Sequence, residues 1–277
     1  MSLTITWRGA TALPVDGRTL KPATFAVMSV DEARRVAIRV GNGKVELGEL
    51  FDVRGGGGGD GLTIEGDLRG VRGIGRRMAA GTMVLRGDVG AELGAEMSGG
   101  IIELHGSAGP YAGAEMRGGR LSIRGDAGDH LGAAYPGSRL GMREGVILVE
   151  GRAGEDVGAV MRRGLIAIRG DVGAGLGRGM IAGTALVLGA VGRQAGAGMK
   201  RGSLILPDLD GQAEAFLVPT FAPAGRYPAP FLEIYYRQLE AWGFAIPRAI
   251  SSRMLHRYNG DVLIGGRGEV LAGIRGG

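Results

Sequence analysis

Six consecutive segments between Thr82 and Gly202 repeat one pattern, and this repetition constrains the fold more than any other feature of the chain. The first two repeats begin at Thr82 and Ile101, which sets the period at 19 residues. The third repeat runs from Arg120 to Gly145 and carries seven extra residues, and a divergent copy precedes the first over Leu62–Gly81. Repeats of this length indicate structural units that stack on their neighbours.

Each repeat opens with an alternation of apolar and polar residues and continues with regularly spaced glycines. In the fifth repeat, Ile166 and Ile168 are the alternating apolar residues, and the glycines lie at 170, 173, 177 and 183. Alternation predicts a strand with one face inward. Four glycines exclude a helix pair, because each costs a helix roughly 1 kcal/mol. We therefore predict an all-β fold, a parallel and right-handed β-helix solenoid of about seven 19-residue coils.

The parts of the chain outside the repeats predict three regions. Residues 1–61 are expected to form an N-terminal cap and a lead-in strand, residues 62–206 the glycine-rich β-helix, and residues 207–277 a small extension that contains a helix. Apolar residues recur at helical spacing over 231–242, and Gly243 ends the pattern. A second short helix is predicted over Arg248–Tyr258. The glycine run Gly55–Gly59 is predicted to be a flexible loop, because no Gly-Lys-Ser/Thr motif of a phosphate-binding loop follows it.

A methionine recurs near the end of most repeats and is predicted to point into the core, where its flexible side chain fills irregular gaps. In the third repeat either Tyr135 or Met142 takes this place, and Pro136–Gly141 is predicted to bulge out as a loop. The other members of this column are Met97, Met116, Met161, Met180 and Met199.

The sequence offers little material for catalysis or for a metal site. It contains no cysteine and three histidines, His105, His130 and His256, none of them at ligand spacing, so we expect no metal. An aspartate follows the first glycine in several repeats, where it either builds the carboxylate pair of a polysaccharide hydrolase or serves in a turn. Ser107 and Arg152 interrupt this column, which favours the turn, and no catalytic residue is predicted. The aspartates are Asp67, Asp88, Asp126 and Asp171.

Basic residues cluster just after the methionines, in a chain of net charge +5. Stacked repeats would align them as a stripe that either binds a polyanion or is a solvated edge. Nucleic acid is not expected, because the repeats lack aromatic residues for base stacking. The opening residues lack a secretory pattern and no apolar run reaches 18 residues, so we expect a cytoplasmic protein without a membrane span. The stripe consists of Arg117, Arg143, Arg162, Arg163, Lys200 and Arg201.

The string of glycines and methionine over Gly151–Gly164 resembles the glycine-rich domain shared by the glutamate synthase C-terminus and the C subunit of formylmethanofuran dehydrogenase. The lead-in over Val45–Gly55 and the tail over Arg257–Ala272 are similar to the dehydrogenase branch of this family. In methylotrophic bacteria, the corresponding protein is the C subunit of a formyltransferase/hydrolase complex.

The resemblance implies a scaffold role in one-carbon metabolism. The complex moves a formyl group from formyl-tetrahydromethanopterin to a methanofuran-like carrier and hydrolyses it to formate. The implied partners are a zinc amidohydrolase-like chain, a formyltransferase chain and a further scaffold chain, with the zinc on another subunit and no cofactor held by this chain. The carrier can bear an acidic tail, for which the six basic residues are the candidate contact. A glutamate synthase-type structural domain and a stand-alone polysaccharide hydrolase remain as alternatives.

Overall fold

The computed structural model describes residues 3–9, 11–55, 59–208, 215–248, 250 and 254–273. The middle of the glycine run predicted to be a loop, residues 56–58, lies outside the described residues. The α-helices in these ranges are α1 Pro22–Phe25, α2 Val30–Arg34, α3 Leu47–Leu50 and α4 Leu232–Ala241, and 3₁₀ turns lie at Gly17–Thr19 and Val262–Ile264. The strands are β1 Leu3–Trp7, β2 Val15–Asp16, β3 Ala37–Val40, β4 Gly43–Glu46, β5 Phe51–Gly55, β6 Gly61–Glu65, β7 Val71–Arg72, β8 Thr82–Arg86, β9 Ile101–Leu104, β10 Arg117–Ile123, β11 Glu144–Val149, β12 Leu165–Ile168, β13 Thr184–Val187, β14 Arg201–Leu206, β15 Ala222–Tyr227, β16 Leu255–Gly260 and β17 Arg267–Gly273.

Most strands belong to one sheet of thirteen, in the order β15-β16-β17-β14-β13-β12-β11-β10-β9-β8-β6-β1-β5. The repeats supply its parallel centre, and their register follows the 19-residue period, with Leu165 opposite Thr184. Both ends of the sheet are antiparallel, through β1 with β5 at one end and through β15, β16 and β17 at the other. A second sheet of four short strands, in the order β4-β3-β2-β7, lies near the N-terminus.

The predicted β-helix solenoid of seven coils is wrong. In the described residues the repeats belong to one long sheet, each repeat contributes only one strand to it, and the sheet ends in antiparallel strands on both sides. The rest of each repeat consists of turns, which contact their neighbours through single-residue bridges such as Ala153 with Val172. Closely spaced glycines bend the backbone before a second or third strand can extend. The core therefore lies between a sheet and a layer of stacked turns.

The inner face of the sheet buries the apolar residues that the alternation predicted. Ile166 and Ile168 are fully buried, as is every methionine of the repeat column. The inward orientation predicted for the methionines is thus confirmed. Met142 fills the place in the third repeat, whereas Tyr135 lies partly exposed.

The outer face of the sheet is also covered near its C-terminal end. Helix α4 packs Leu232, Tyr236 and Leu239 against outward residues of β11 to β14, among them Ala167 and Leu186. Burial on both faces explains why β12 and β13 are almost continuously apolar.

The C-terminal extension differs in part from its prediction. Helix α4 occupies Leu232–Ala241, but the short helix predicted over Arg248–Tyr258 is wrong, because Leu255–Gly260 is strand β16 between β15 and β17. Antiparallel pairing with β15, which precedes α4 in the sequence, is a long-range event with no local signal. The division of the chain into 1–61, 62–206 and 207–277 stays a prediction.

Candidate functional site

The basic stripe is positioned by a ladder of backbone hydrogen bonds. The residue after each methionine donates its N–H to the carbonyl of the methionine one repeat earlier, as Arg143 does to Met116 and Arg162 to Met142, at 2.7 and 2.8 Å. Because the methionine side chain is buried, the next side chain points outward. Equivalent basic residues therefore follow one another along the outside of the chain, about 4.8 Å apart.

The structure brings four of the six predicted basic residues into one groove. Arg143, Arg162, Arg163 and Arg201 line an open cavity of about 440 Å³ together with two apolar residues, Ile181 and Ala182. We call this cavity the basic groove. Arg117 and Lys200 are exposed on the same stripe but do not line the groove.

Among the residues that the structure describes, the six basic side chains have no acidic partner. None forms an ion pair with another residue in the described ranges, although other arginines of the repeats do, such as Arg169 with Glu150. The Nε atom of Arg143 is buried and has no hydrogen-bond partner among the described residues. A cluster of unpaired arginines in a concave surface produces a positive potential that attracts anions.

A second groove adjoins the basic groove, and its lining is mostly apolar rather than charged. Its floor is formed by Gly119, Gly145 and Gly164, which lie just before β10, β11 and β12 or within their first residues, and its wall by one side of α4. The volume is about 530 Å³ and the exposed lining is mostly apolar. We call it the apolar groove. The residues contributed by α4 and the turn that follows it are Ile234, Tyr235, Gln238 and Trp242.

The apolar groove was not predicted from the sequence. The helical spacing over 231–242 indicated α4 but not the strands on which it docks. Ile234 is 73% exposed on this helix, although it belongs to the apolar pattern that predicted the helix, and the spacing alone does not indicate that exposure.

The aspartate column is engaged in backbone hydrogen bonds. Asp88 accepts the N–H of Ser107 at 2.8 Å, and Asp126 accepts that of Arg152 at 2.7 Å, so each carboxylate binds the equivalent residue of the next repeat. Asp171 accepts the N–H of Ala190 in the same way. Asp67 instead binds its neighbour Arg69, and these hydrogen bonds lower the pKa of Asp67 to about 2. In this geometry the carboxylates stabilise the turns of the repeats by accepting backbone hydrogen bonds.

The three histidines lie apart from one another. His130 stacks on Tyr111, with ring centroids 4.6 Å apart, and its Nδ1 is 3.9 Å from a carboxylate oxygen of Asp156. His105 lines a small cavity beside Trp242, and His256 is in β16. Within the described ranges, no group of three or more His, Asp or Glu side chains is placed to hold a metal ion.

Tyr135, just before the Pro136–Gly141 loop, belongs to a cluster on the turn side of the molecule. Its ring stacks on Tyr111 at 5.4 Å, and the guanidinium of Arg76 lies 5.6 Å from the ring centre. Burial raises the pKa of Tyr135 to about 12, with a smaller contribution from the nearby carboxylate of Glu92. The hydroxyl has no hydrogen-bond partner among the described residues. The cluster ties the long third repeat to its neighbours.

None of the helices in the described ranges is both long and apolar enough to cross a membrane.

Comparisons with known proteins give one consistent result. Residues 82–220 match the GXGXG motif family. The chain is 36% identical over 87 residues to the C subunit of a tungsten-containing formylmethanofuran dehydrogenase from Methanothermobacter wolfeii. It is 40% identical over 83 residues to the C subunit of a molybdenum-containing formylmethanofuran dehydrogenase from Methanothermobacter thermautotrophicus.

These two matches each cover 30% of this chain, and they span 32% and 21% of the relatives' own lengths. A solved structure is similar over almost the whole chain. It is a chain in the crystal structure of the formyltransferase/hydrolase complex from Methylorubrum extorquens in complex with methylofuran. The TM-score is 0.89 and the identity 36%, and the match covers 98% of this chain and 100% of that one.

Proposed function

This chain belongs to the GXGXG family and is a homologue of the formylmethanofuran dehydrogenase C subunit, and from that premise we propose that it is a scaffold subunit. The complex that it serves transfers the formyl group of formyl-tetrahydromethanopterin to a methanofuran-like carrier and hydrolyses the product to formate. This proposal places the chain in the cytoplasm.

One observation carries the proposal. The similarity to a chain of the Methylorubrum extorquens formyltransferase/hydrolase complex extends over almost the full length of both chains, the N-terminal and C-terminal parts included. The family model matches residues 82–220 alone, whereas the similarity to the complex chain also includes the segments on both sides of them.

The folded chain suits a platform role. A sheet of thirteen strands packed on stacked turns is rigid, because its strands are joined by regular hydrogen-bond ladders and its core is continuous. The carboxylates that recur in the repeats bind backbone amides of the neighbouring repeat, so they stabilise the stack. We place the chemistry on a zinc amidohydrolase-like chain and a formyltransferase chain, accompanied by a further scaffold chain.

The test is to purify the tagged chain from its native cells and to identify the proteins that come with it. We expect the two catalytic chains and the further scaffold chain in fixed ratio, and loss of the assembly when this chain is deleted. A chain that purifies alone and hydrolyses a substrate by itself would falsify the proposal.

We also propose that the basic stripe contacts the anionic tail of the carrier. The residues fit this ligand, because Arg143, Arg162, Arg163 and Arg201 converge on one groove without protein counterions in the described ranges. Carboxylates bind well to guanidinium groups, which present several N–H donors in a fixed plane. In this proposal the stripe only retains the tail of the carrier and takes no part in the chemistry.

Replacement of Arg162, Arg163, Lys200 and Arg201 by serine tests this contact. We expect the affinity of the complex for the carrier to fall at least tenfold at low salt, with a weaker dependence on ionic strength, because the lost interactions are electrostatic. The matched control replaces Arg124, Arg193, Arg226 and Arg237, which are exposed but lie outside the groove, and should change affinity less than about twofold. Equal carrier affinity in the two quadruple variants at low salt would remove the stripe from the proposal.

A further inference from the structure

Three consecutive apolar side chains stand out of the surface at the C-terminal end of the sheet. They belong to the 3₁₀ turn Val262–Ile264, which joins β16 to β17, and we call it the exposed turn. Val262, Leu263 and Ile264 are 55%, 78% and 41% exposed. Successive residues of a 3₁₀ turn point in directions about 120° apart, so a turn that lay flat on the protein would bury at least one of them. Single exposed apolar residues are common, whereas three in succession indicate a contact surface.

Hydrogen bonds hold the exposed turn in one conformation. Asp261, just before the turn, is only 6% exposed, and its carboxylate accepts the N–H of Leu263 at 3.0 Å and that of Gly198 at 3.2 Å. The N–H of Val262 donates to the carbonyl of Thr220 at 3.1 Å. The turn is therefore anchored to the last repeat and to the segment that follows it, and it loses little conformational entropy when it binds a partner.

The basic residues beside the exposed turn add a charge to this surface. The N–H of Asp261 donates to the carbonyl of Met199 at 3.2 Å, so Lys200 lies next to the turn. Arg267 begins β17 and lies opposite Arg201 of β14, on the same face of the sheet. These three basic residues are exposed and have no acidic partner among the described residues. Adjacent like charges repel each other, and carboxylates on a partner would offset this repulsion.

We infer that the exposed turn inserts into an apolar pocket of another chain of the assembly, and that carboxylates at the rim of this pocket bind Arg267 and Lys200. This inference rests on the scaffold role proposed above, and it identifies one surface through which the scaffold holds a protein partner. A protein is favoured over a membrane, because the similarity to a chain of a multi-subunit complex includes this part of the molecule. The three side chains also form a compact projection rather than the long apolar helix face with which proteins lie in a lipid surface.

A charge placed in the exposed turn tests the insertion. Wild-type and Leu263→Asp chains with different tags are produced in equal amounts in the native cells, and their ratio in the purified assembly measures relative affinity. We expect wild type to exceed Leu263→Asp at least tenfold, because an apolar pocket cannot solvate a carboxylate. Val27→Asp is the control, since it places the same charge at an apolar side chain that is 92% exposed, and it should compete equally with wild type. Both isolated variants should unfold at the wild-type temperature, because the replaced side chains are exposed.

Reversal of a charge tests the rim of the pocket in the same competition. We expect Arg267→Glu to be incorporated about fivefold less than wild type, because its carboxylate would face the carboxylates of the partner. Arg39→Glu, at an exposed position of β3, is the matched control and should be incorporated as well as wild type. Equal incorporation of Arg267→Glu and wild type would remove the acidic rim from the inference.

A thiol probe shows whether the exposed turn is covered. Because the chain contains no cysteine, Leu263→Cys gives it a single thiol, whose reaction with a maleimide is followed by mass spectrometry of this chain. We expect this reaction to be at least tenfold slower in the assembled complex than in the isolated chain. Val27→Cys is the control and should react at the same rate in both.

The outcomes separate this inference from the scaffold role. A wild-type chain that purifies without partners overturns the scaffold role itself. If partners are present but the thiol of Leu263→Cys reacts equally fast in the complex and in the isolated chain, the scaffold role stands and the exposed turn is not its contact. Equal incorporation of Leu263→Asp and wild type has the same meaning. If the assembled complex binds vesicles of anionic phospholipid and Leu263→Asp abolishes only that binding, the partner is a membrane and the inference is overturned.

Discussion

Two positions of the repeat restrict which residue can occupy them, and they do so for different physical reasons. The packing column, the sixth position of each repeat, is always glycine, and a Cβ atom at Gly170 would lie 2.6 Å from the carbonyl oxygen of Gly151. The left-handed column, the fifteenth position in five of the six repeats, has positive φ, and its two glycines have open surroundings, since the nearest atom to a Cβ at Gly179 is 3.7 Å away. This column holds Glu96, Glu115, Val160, Gly179 and Gly198 at positive φ.

The difference shows that a glycine-rich repeat is constrained by space in one place and by backbone conformation in another. No side chain fits where adjacent repeats touch through their backbones. At the left-handed column a side chain costs about 1 kcal/mol of conformational strain and can still be useful. Glycine is therefore obligatory in the first column and replaceable in the second.

The largest expected effect is at the packing column. Gly170→Ala places a methyl group against the backbone of the preceding repeat, which cannot move without separating the strands. We expect a loss of about 3 kcal/mol or more in the free energy of unfolding, measured by denaturant titration. A loss below about 1 kcal/mol would show that the stack is compliant and would remove the distinction between the columns.

Glu96 tests whether a side chain in the left-handed column can stabilise the fold. Its carboxylate accepts hydrogen bonds from Arg76 and from Arg77, the latter at 2.8 Å. Burial acts to raise the pKa of Glu96, but these hydrogen bonds outweigh it and lower the pKa below its ordinary value of 4.5. We expect Glu96→Gln to cost about 2 kcal/mol at pH 7.

The pH dependence of this cost follows from the direction of the shift. Because folding lowers the pKa of Glu96, its stabilising contribution is complete above the unfolded value near 4.5 and is lost as the pH falls through the folded value. The stabilities of wild type and Glu96→Gln should therefore converge as the pH falls below 4.5 and through the folded pKa of Glu96. Glu65→Gln, at a more exposed and looser pair with Arg86, serves as the control and should show little difference at either pH. A constant gap between wild type and Glu96→Gln from neutral to strongly acidic pH contradicts the assigned role.

Gly179→Ala is the matched partner of Gly170→Ala. The new methyl group has space, so the cost is limited to the positive φ and should be about 1 kcal/mol. Thermal unfolding of both variants side by side measures the comparison, and equal losses would mean that space does not separate the columns.

The smallest expected effect is an increase in stability. Val160 is a β-branched residue held at a φ of 60°, an unfavourable conformation for its side chain. Val160→Gly should raise the free energy of unfolding by about 0.5 kcal/mol, because relief of strain exceeds the larger entropy of the unfolded glycine. Destabilisation instead would show that the half-buried valine contributes packing that outweighs its strain.

The register of the parallel strands could be predicted from the sequence, but the antiparallel strands at the two ends of the sheet could not. Alternation and period placed strands at Thr82, Ile101, Leu165 and Thr184, and the structure begins β8, β9, β12 and β13 at those residues. The number of strands in each repeat could not be predicted, because a short apolar segment between glycines is compatible with either a strand or a turn. The antiparallel ends rely on long-range pairing, so the helix predicted over Arg248–Tyr258 was a strand.

The candidate site also has one part that could be predicted from the sequence and another that could not. The periodicity predicted the alignment of the basic stripe, because one hydrogen-bond ladder repeats behind it. Which four of the six basic residues line the groove depends on side-chain directions that periodicity does not contain. The apolar groove exists because α4, which packs on β11 to β14, also lies beside the starts of β10 to β12, and the docking of a helix on a distant sheet leaves no local pattern.

The antiparallel ends of the sheet give the repeat number a meaning of its own. Each repeat adds one strand, or about 4.8 Å, and leaves the register of its neighbours unchanged. Duplication or loss of a 19-residue unit would therefore change the distance between the two ends in fixed steps while the ends themselves stay intact. The number of repeats therefore sets the length of the sheet, and a change in that number alters the spacing between its two ends without changing the strands that form them.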